Sequence, residues 1–207
     1  MALSKIQPAS MDLTANYAFT GTNSISSVEY AEKKLATVTA SSSATLDFTS
    51  NIDNTYNIYK FRFVNMHPAT DGTTFHFNGS TDGGSNYNVT KTSSFFQAYH
   101  SENDSSTSLG YGTSEDLAQS TSYQILFNDL GNANDENGSG DLLLFNPSST
   151  TFVKHFMGTS NRTNLNDISV NTYYAGYFNT TSAINAIQFK MSSGNIDSGT
   201  IEMYGIN

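Results

Sequence analysis

The 207-residue chain has no cysteine and no tryptophan. Without cysteine there is no disulfide, no thiolate nucleophile and no Cys-ligated zinc. Charge is scarce: Asp, Glu, Lys and Arg together make up 13% of the residues, about half the usual share. Positive charge is scarcest, with nine Lys and Arg against 18 Asp and Glu and a net charge of −9. A phosphate backbone or an acidic membrane surface would repel such a chain, so neither nucleic acid nor membrane is an expected partner. No apolar run approaches the roughly 18 residues of a spanning helix. The opening "MALSKIQPASMDL" has one lysine and no apolar core, so it is not expected to act as a secretory signal. No segment longer than ten residues carries an apolar period of 3.6, which leaves little room for helix beyond a short turn near residues 115–119 or in the N-terminal arm.

Ser, Thr and Asn supply most of the polarity. Phe and Tyr supply all the aromatics, 13% of the chain. This mixture favours strands and turns. From Lys34 onward, strand-like segments recur every 8 to 14 residues with turn clusters between them. In residues 57–66, Tyr59, Phe61 and Phe63 alternate with Lys60 and Arg62. Phe75 and Phe77 alternate about His76. Residues 101–119 read as a long polar loop. About ten strands in some 170 residues predict an all-β fold: a two-sheet antiparallel sandwich, jelly-roll-like, over residues 34–207. An immunoglobulin-like sandwich is the alternative, without its Cys and Trp hallmarks. The final segment, residues 186–206, reads as a β-hairpin. Ile187, Phe189 and Met191 share a face before the turn and Ile201 and Met203 share one after it, so the chain is expected to end on a core strand.

Residues 1–33 have no sustained period but hold spaced apolar side chains. They are read as an extended N-terminal arm that lies on another surface, with Leu3, Ile6, Leu13, Tyr17 and Phe19 as its anchors.

Three stretches carry a resemblance: "MALSKIQ" with "NYAFTGT" at the start, "TYNIYKFRF", "DGTTFHF" and "DGGSNY" in the centre, and "AIQFKMSSGNIDSGTIEMYGI" at the close. Together they resemble virion structural proteins of marine tailed bacteriophages, of the decoration or fibre-like kind. Residues 95–180 lie outside the resemblance. It implies a non-enzymatic protein made in the host cytoplasm and incorporated into the virion. Its partners would be the major capsid protein or appendage proteins, and it carries no catalytic residues.

The candidate chemistry is sparse. His67, His76, His100 and His155 show no H-x-H or H-x-x-x-H spacing, so surface or sheet histidines are expected rather than a metal site. Asp129, Asp135, Glu136 and Asp141 lie in an Asn- and Gly-rich stretch with the oxygen chemistry calcium favours, but without EF-hand spacing; a solvated loop is the expectation. No nucleophile elbow or phosphate loop occurs, and no pair of acids stands out as a glycosidase pair. No cofactor and no catalytic residue are expected. The segment "NTYYAGYFN" is different. Tyr173, Tyr174, Tyr177 and Phe178 put aromatics on both faces of one strand, which points to an interface or, second, to a contact with a host surface glycan. A homo-oligomer is expected on the same ground, with a trimer among its symmetric forms.

Overall fold

Backbone pairing, rather than any helix, organises residues 32–207, which are the residues the computed structural model describes. The arm anchors Leu3, Ile6, Leu13, Tyr17 and Phe19 lie outside them. The order is β1 (Lys33–Thr39), β2 (Leu46–Phe48), β3 (Ile58–Pro68), β4 (Thr73–Ser80), β5 (Lys91–Ser101), β6 (Thr107–Tyr111), β7 (Gln124–Leu130), β8 (Gly138–Phe145), β9 (Lys154–Asn164), β10 (Ile168–Phe178), β11 (Ala186–Met191) and β12 (Ile196–Ile206). The fold is all-β and every pairing is antiparallel.

One ladder of strands runs β1-β12-β3-β8-β9-β10-β5-β6. A second runs β7-β4-β11-β2. A single pair, Leu130 with Asn164, joins β7 to the end of β9. At the far side β1 comes close to β2, so the sheet is nearly closed and barrel-like. The period-2 pattern explains what is enclosed. Tyr59, Phe61 and Phe63 of β3 point inward and are at most 1% exposed, as are Phe75 and Phe77 of β4 and Phe189 of β11. Phe63 meets Phe189 edge-on at 5.3 Å, and Phe48 meets Phe61 at 5.2 Å, so rings from the two ladders interlock. A fully buried Phe contributes about 2–3 kcal/mol of transfer free energy, and this cluster of rings is the main store of stability.

Two expectations are corrected. Residues 186–206 are not a hairpin, because β11 pairs with β4 and β2 whereas β12 pairs with β1 and β3. The turn between them carries the chain from one ladder to the other. The polar stretch 101–119 is not all loop: Thr107–Tyr111 forms β6 on the edge of β5. Near residues 115–119 the chain makes no more than a turn, in which the amides of Glu115 and Asp116 fold back onto the Gly112 carbonyl.

Candidate functional site

The solvent face of the longer ladder carries the exposed aromatics Phe96, Tyr111 and Tyr173 with Met157. Register fixes its rows. One row runs Tyr111, Phe96, Tyr173, Thr159, Asp141, Arg62, Glu202 across β6, β5, β10, β9, β8, β3 and β12. It therefore changes from aromatic at the β6 edge to charged at the β12 end. The next row places Ser94, Ala175, Met157, Leu143, Lys60 and Tyr204 side by side.

Small side chains such as Ser94 and Ala175 in the second row, beside the large aromatics of the first, leave two shallow depressions. The first, about 380 Å³, lies between Phe96, Tyr173, Leu143 and Met157, with Ala175 and Gly158 at its floor. The second, about 450 Å³, lies between Phe145, His155, Met157 and Tyr177. Tyr173 lies flat on Phe96, with ring centroids 4.9 Å apart and planes 9° apart. Tyr173 is 40% exposed and Met157 50% exposed.

Gly158 is required by what lies beneath. It pairs with Tyr174, whose ring occupies the space a Cβ would fill, and the same Cβ would collide with the Asp141 carbonyl. Tyr174 donates its hydroxyl to that carbonyl at 2.6 Å, and burial pushes its phenol well above the ordinary value.

The structure thus divides the four aromatics read from "NTYYAGYFN". Tyr173 and Tyr177 lie on the solvent face. Tyr174 and Phe178 are buried at 2% and 0% exposure and take part in the core. The contact face instead gains Phe96, Tyr111, Leu143 and Met157 from β5, β6, β8 and β9, which only the strand register brings beside Tyr173.

Ionisable side chains gather at the β12 end of this face, where Lys34, Lys60 and Arg62 pair with Glu32 and Glu202, and are sparse around the depressions. Among the described residues Asp141 is the one acid lining the first depression and His155 the one histidine lining the second. Among the described residues no three potential metal ligands converge. In the acidic stretch, the Glu136 carboxylate turns back to accept the Ala133 amide at 2.7 Å. His100 bonds Asp104 at 2.9 Å, and His67 lies 3.4 Å from Asp197.

A third group of residues was missed from sequence: the buried cations Lys91, Lys154 and Arg162, which are at most 2% exposed. Their nearest partners are neutral. Lys91 Nζ donates to Asn78 Oδ1 at 2.7 Å and the Val89 carbonyl at 2.9 Å. Lys154 donates to the Thr180 carbonyl. Arg162 donates to Thr172, Gln97 and Asn128. Burial holds Lys91 down at about 7 and Arg162 at about 10. The signal was present, since Lys91 is in phase with inward Phe95, and Lys154 and Arg162 are in phase with inward Phe156. These residues brace the interior and line neither depression.

No family model matches the chain, and no curated protein or solved structure matches it.

Proposed function

We propose that this chain is a non-enzymatic structural protein of a tailed-phage virion, of the capsid decoration, cement or head-fibre type. In this reading residues 1–33 form the attachment arm, with Leu3, Ile6, Leu13, Tyr17 and Phe19 as anchors on the major capsid protein or an appendage protein. Residues 34–207 form a jelly-roll sandwich that assembles as a homo-oligomer.

The observation that carries the reading is the strand order. A jelly roll interleaves two four-stranded sheets of eight strands, joined by two Greek keys. If β5–β6 and β9–β10 are read as insertions, the remaining eight strands fall into the orders β1-β12-β3-β8 and β2-β11-β4-β7. Numbered afresh from one to eight, these are 1-8-3-6 and 2-7-4-5, the interleaving of a jelly roll. Every consecutive pair except β4 and β7, which are neighbours in one layer, then crosses between layers, including β11 to β12. Jelly rolls serve viral capsids and lectins, which narrows the choice of role without fixing it. The solvent face favours contact over chemistry, because its depressions are wide, shallow and aromatic, whereas general acid–base catalysis needs positioned partners.

A second reading, a fibre-tip or glycan-binding module, is favoured by the Tyr173–Phe96 ledge beside Asp141 and Thr159. Deleting residues 1–22 separates the two. Loss of binding to particles with unchanged glycan binding supports the arm. Binding to particles that survives the deletion overturns it. Binding of whole host cells or arrayed glycans by the full chain would favour the second reading.

A further inference from the structure

The longer ladder ends in two strands, β1 and β6, that differ in charge. Among the described residues β6 pairs only with β5, and all five of its residues are exposed. It has no charge and no proline, and it holds Leu109 at 73% and Tyr111 at 55% exposure. Native edges are usually blunted by charge, proline or a bulge, because unpaired amides and carbonyls invite another strand. At the other end, among the described residues, β1 pairs only with β12 and begins with exposed Lys33 and Lys34.

We propose that copies of this chain join head to tail, with β1 of one copy pairing with β6 of the next, so that the ladder continues from copy to copy. Strand direction fits first. Eight strands in strict antiparallel alternation leave β1 and β6 running in opposite senses. A second copy added in the same orientation therefore lays its β1 antiparallel to β6 and preserves the alternation.

Charge fits next. Antiparallel pairing brings the Lys33–Lys34 end of β1 beside Tyr111 and the turn that follows it. There Tyr111 donates its hydroxyl to Asp116 Oδ2 at 2.8 Å, and Glu115 is next to Asp116. Between Lys91 and Lys154 the chain holds eight acids and no Lys or Arg, so the segment that carries β6 is acidic. Pairing β6 with β6 about a two-fold axis would instead bring Asp104 of one copy toward Asp116 of the other, and like charges in contact oppose association. The head-to-tail contact is heterologous, so it closes into a ring or grows as a filament according to the rotation per step.

This inference deepens the homo-oligomer part of the reading above and needs no virion. A chain that assembles this way yet is missing from particles would refute that reading and leave this one standing. The test is sedimentation velocity of the full chain over a wide concentration range, with charge reversals on each edge. Asp116→Lys alone, and Lys33→Glu with Lys34→Glu, are each expected to weaken association about tenfold or more, since like charges then meet across the contact. Combining all three substitutions is expected to restore it to within about threefold, because the two edges couple directly. Leu109→Lys, on a side chain open to solvent, is expected to weaken association without changing the melting temperature. A chain that stays monomeric at every concentration overturns the proposal. So does association that ignores the reversals, or a combined variant no better than the weaker single-edge one.

Discussion

The ammonium of Lys91 and the side-chain oxygen of Asn78 meet 2.7 Å apart in the interior, with both residues at 0% exposure. Asn78 also accepts the Gly79 amide at 2.8 Å and donates to the carbonyls of Tyr87 at 2.8 Å and Thr121 at 2.9 Å. One amide thereby ties β4 to the start of β5 and to the segment before β7. Replacing Asn78 with Leu leaves the buried ammonium with only the Val89 carbonyl and takes this partner from the Gly79 amide and the Tyr87 and Thr121 carbonyls. Each orphaned group costs about 1–3 kcal/mol, so urea unfolding is expected to show a loss of at least ~3 kcal/mol. A loss below ~1 kcal/mol would show that the network carries little.

Lys91 also sets an unusual pH dependence. Burial holds its pKa at about 7, against an ordinary value of 10.5. Between those values the unfolded chain binds more protons, so stability rises with pH through that window and is lost as pH falls toward 7. Burial raises the Tyr87 and Tyr174 phenols, and that contribution is lost above their unfolded value near 10. The melting temperature is therefore expected to peak at about pH 9 to 10. Lys91→Met is expected to flatten the rise above pH 7, which amounts to on the order of 3 kcal/mol in the native protein. A native curve that is already flat from pH 7 to 10 would contradict the burial of this charge.

His76 governs the acid side. Its ring is half-buried against Tyr123 at 5.0 Å. Burial, with Lys190 nearby, lowers its pKa to about 4 from 6.5. The unfolded chain takes up the proton first, so stability present above pH 6.5 is lost as pH falls toward 4. Partial exposure limits this loss to about 1–2 kcal/mol, below the full conversion of the shift. Asp82, held at about 2 by hydrogen bonds from Ser80 and Asn86, acts below this window. His76→Phe is expected to flatten the melting temperature between pH 6.5 and 4.

Sequence made the aromatic alternation of β3 and β4 plain, because Tyr59, Phe61, Phe63, Phe75 and Phe77 all obey one period. It misplaced the link between β11 and β12, because "SSGN" at 192–195 supplies the same turn chemistry to a hairpin and to an arch between layers. β6 was missed for a related reason. "TSLGY" has two apolar residues in a polar stretch, and its strand exists through pairing with β5. The contact face was half legible. Tyr173 and Tyr177 could be read from alternation, but Phe96, Leu143 and Met157 join them only through register set by residues far apart in the chain.

The floor of the first depression can be tested through Gly158. Gly158→Ala forces a methyl group into the Tyr174 ring and the Asp141 carbonyl. Overpacking of this kind costs about 1–3 kcal/mol, read as a lower urea midpoint. Tyr173→Ala on the exposed side is expected to cost only about 1 kcal/mol, the value of one stacked pair. Equal losses at both positions would contradict the division into a buried and a contact face.

The central claim is that the chain is an inert part of a particle. Quantitative mass spectrometry of purified phage particles, measured against the major capsid protein, tests it most directly. The account predicts that the chain co-purifies at a fixed ratio to the capsid protein and that deleting residues 1–22 removes it from the particle. Recovery of the intact chain only in the particle-free fraction would contradict the account.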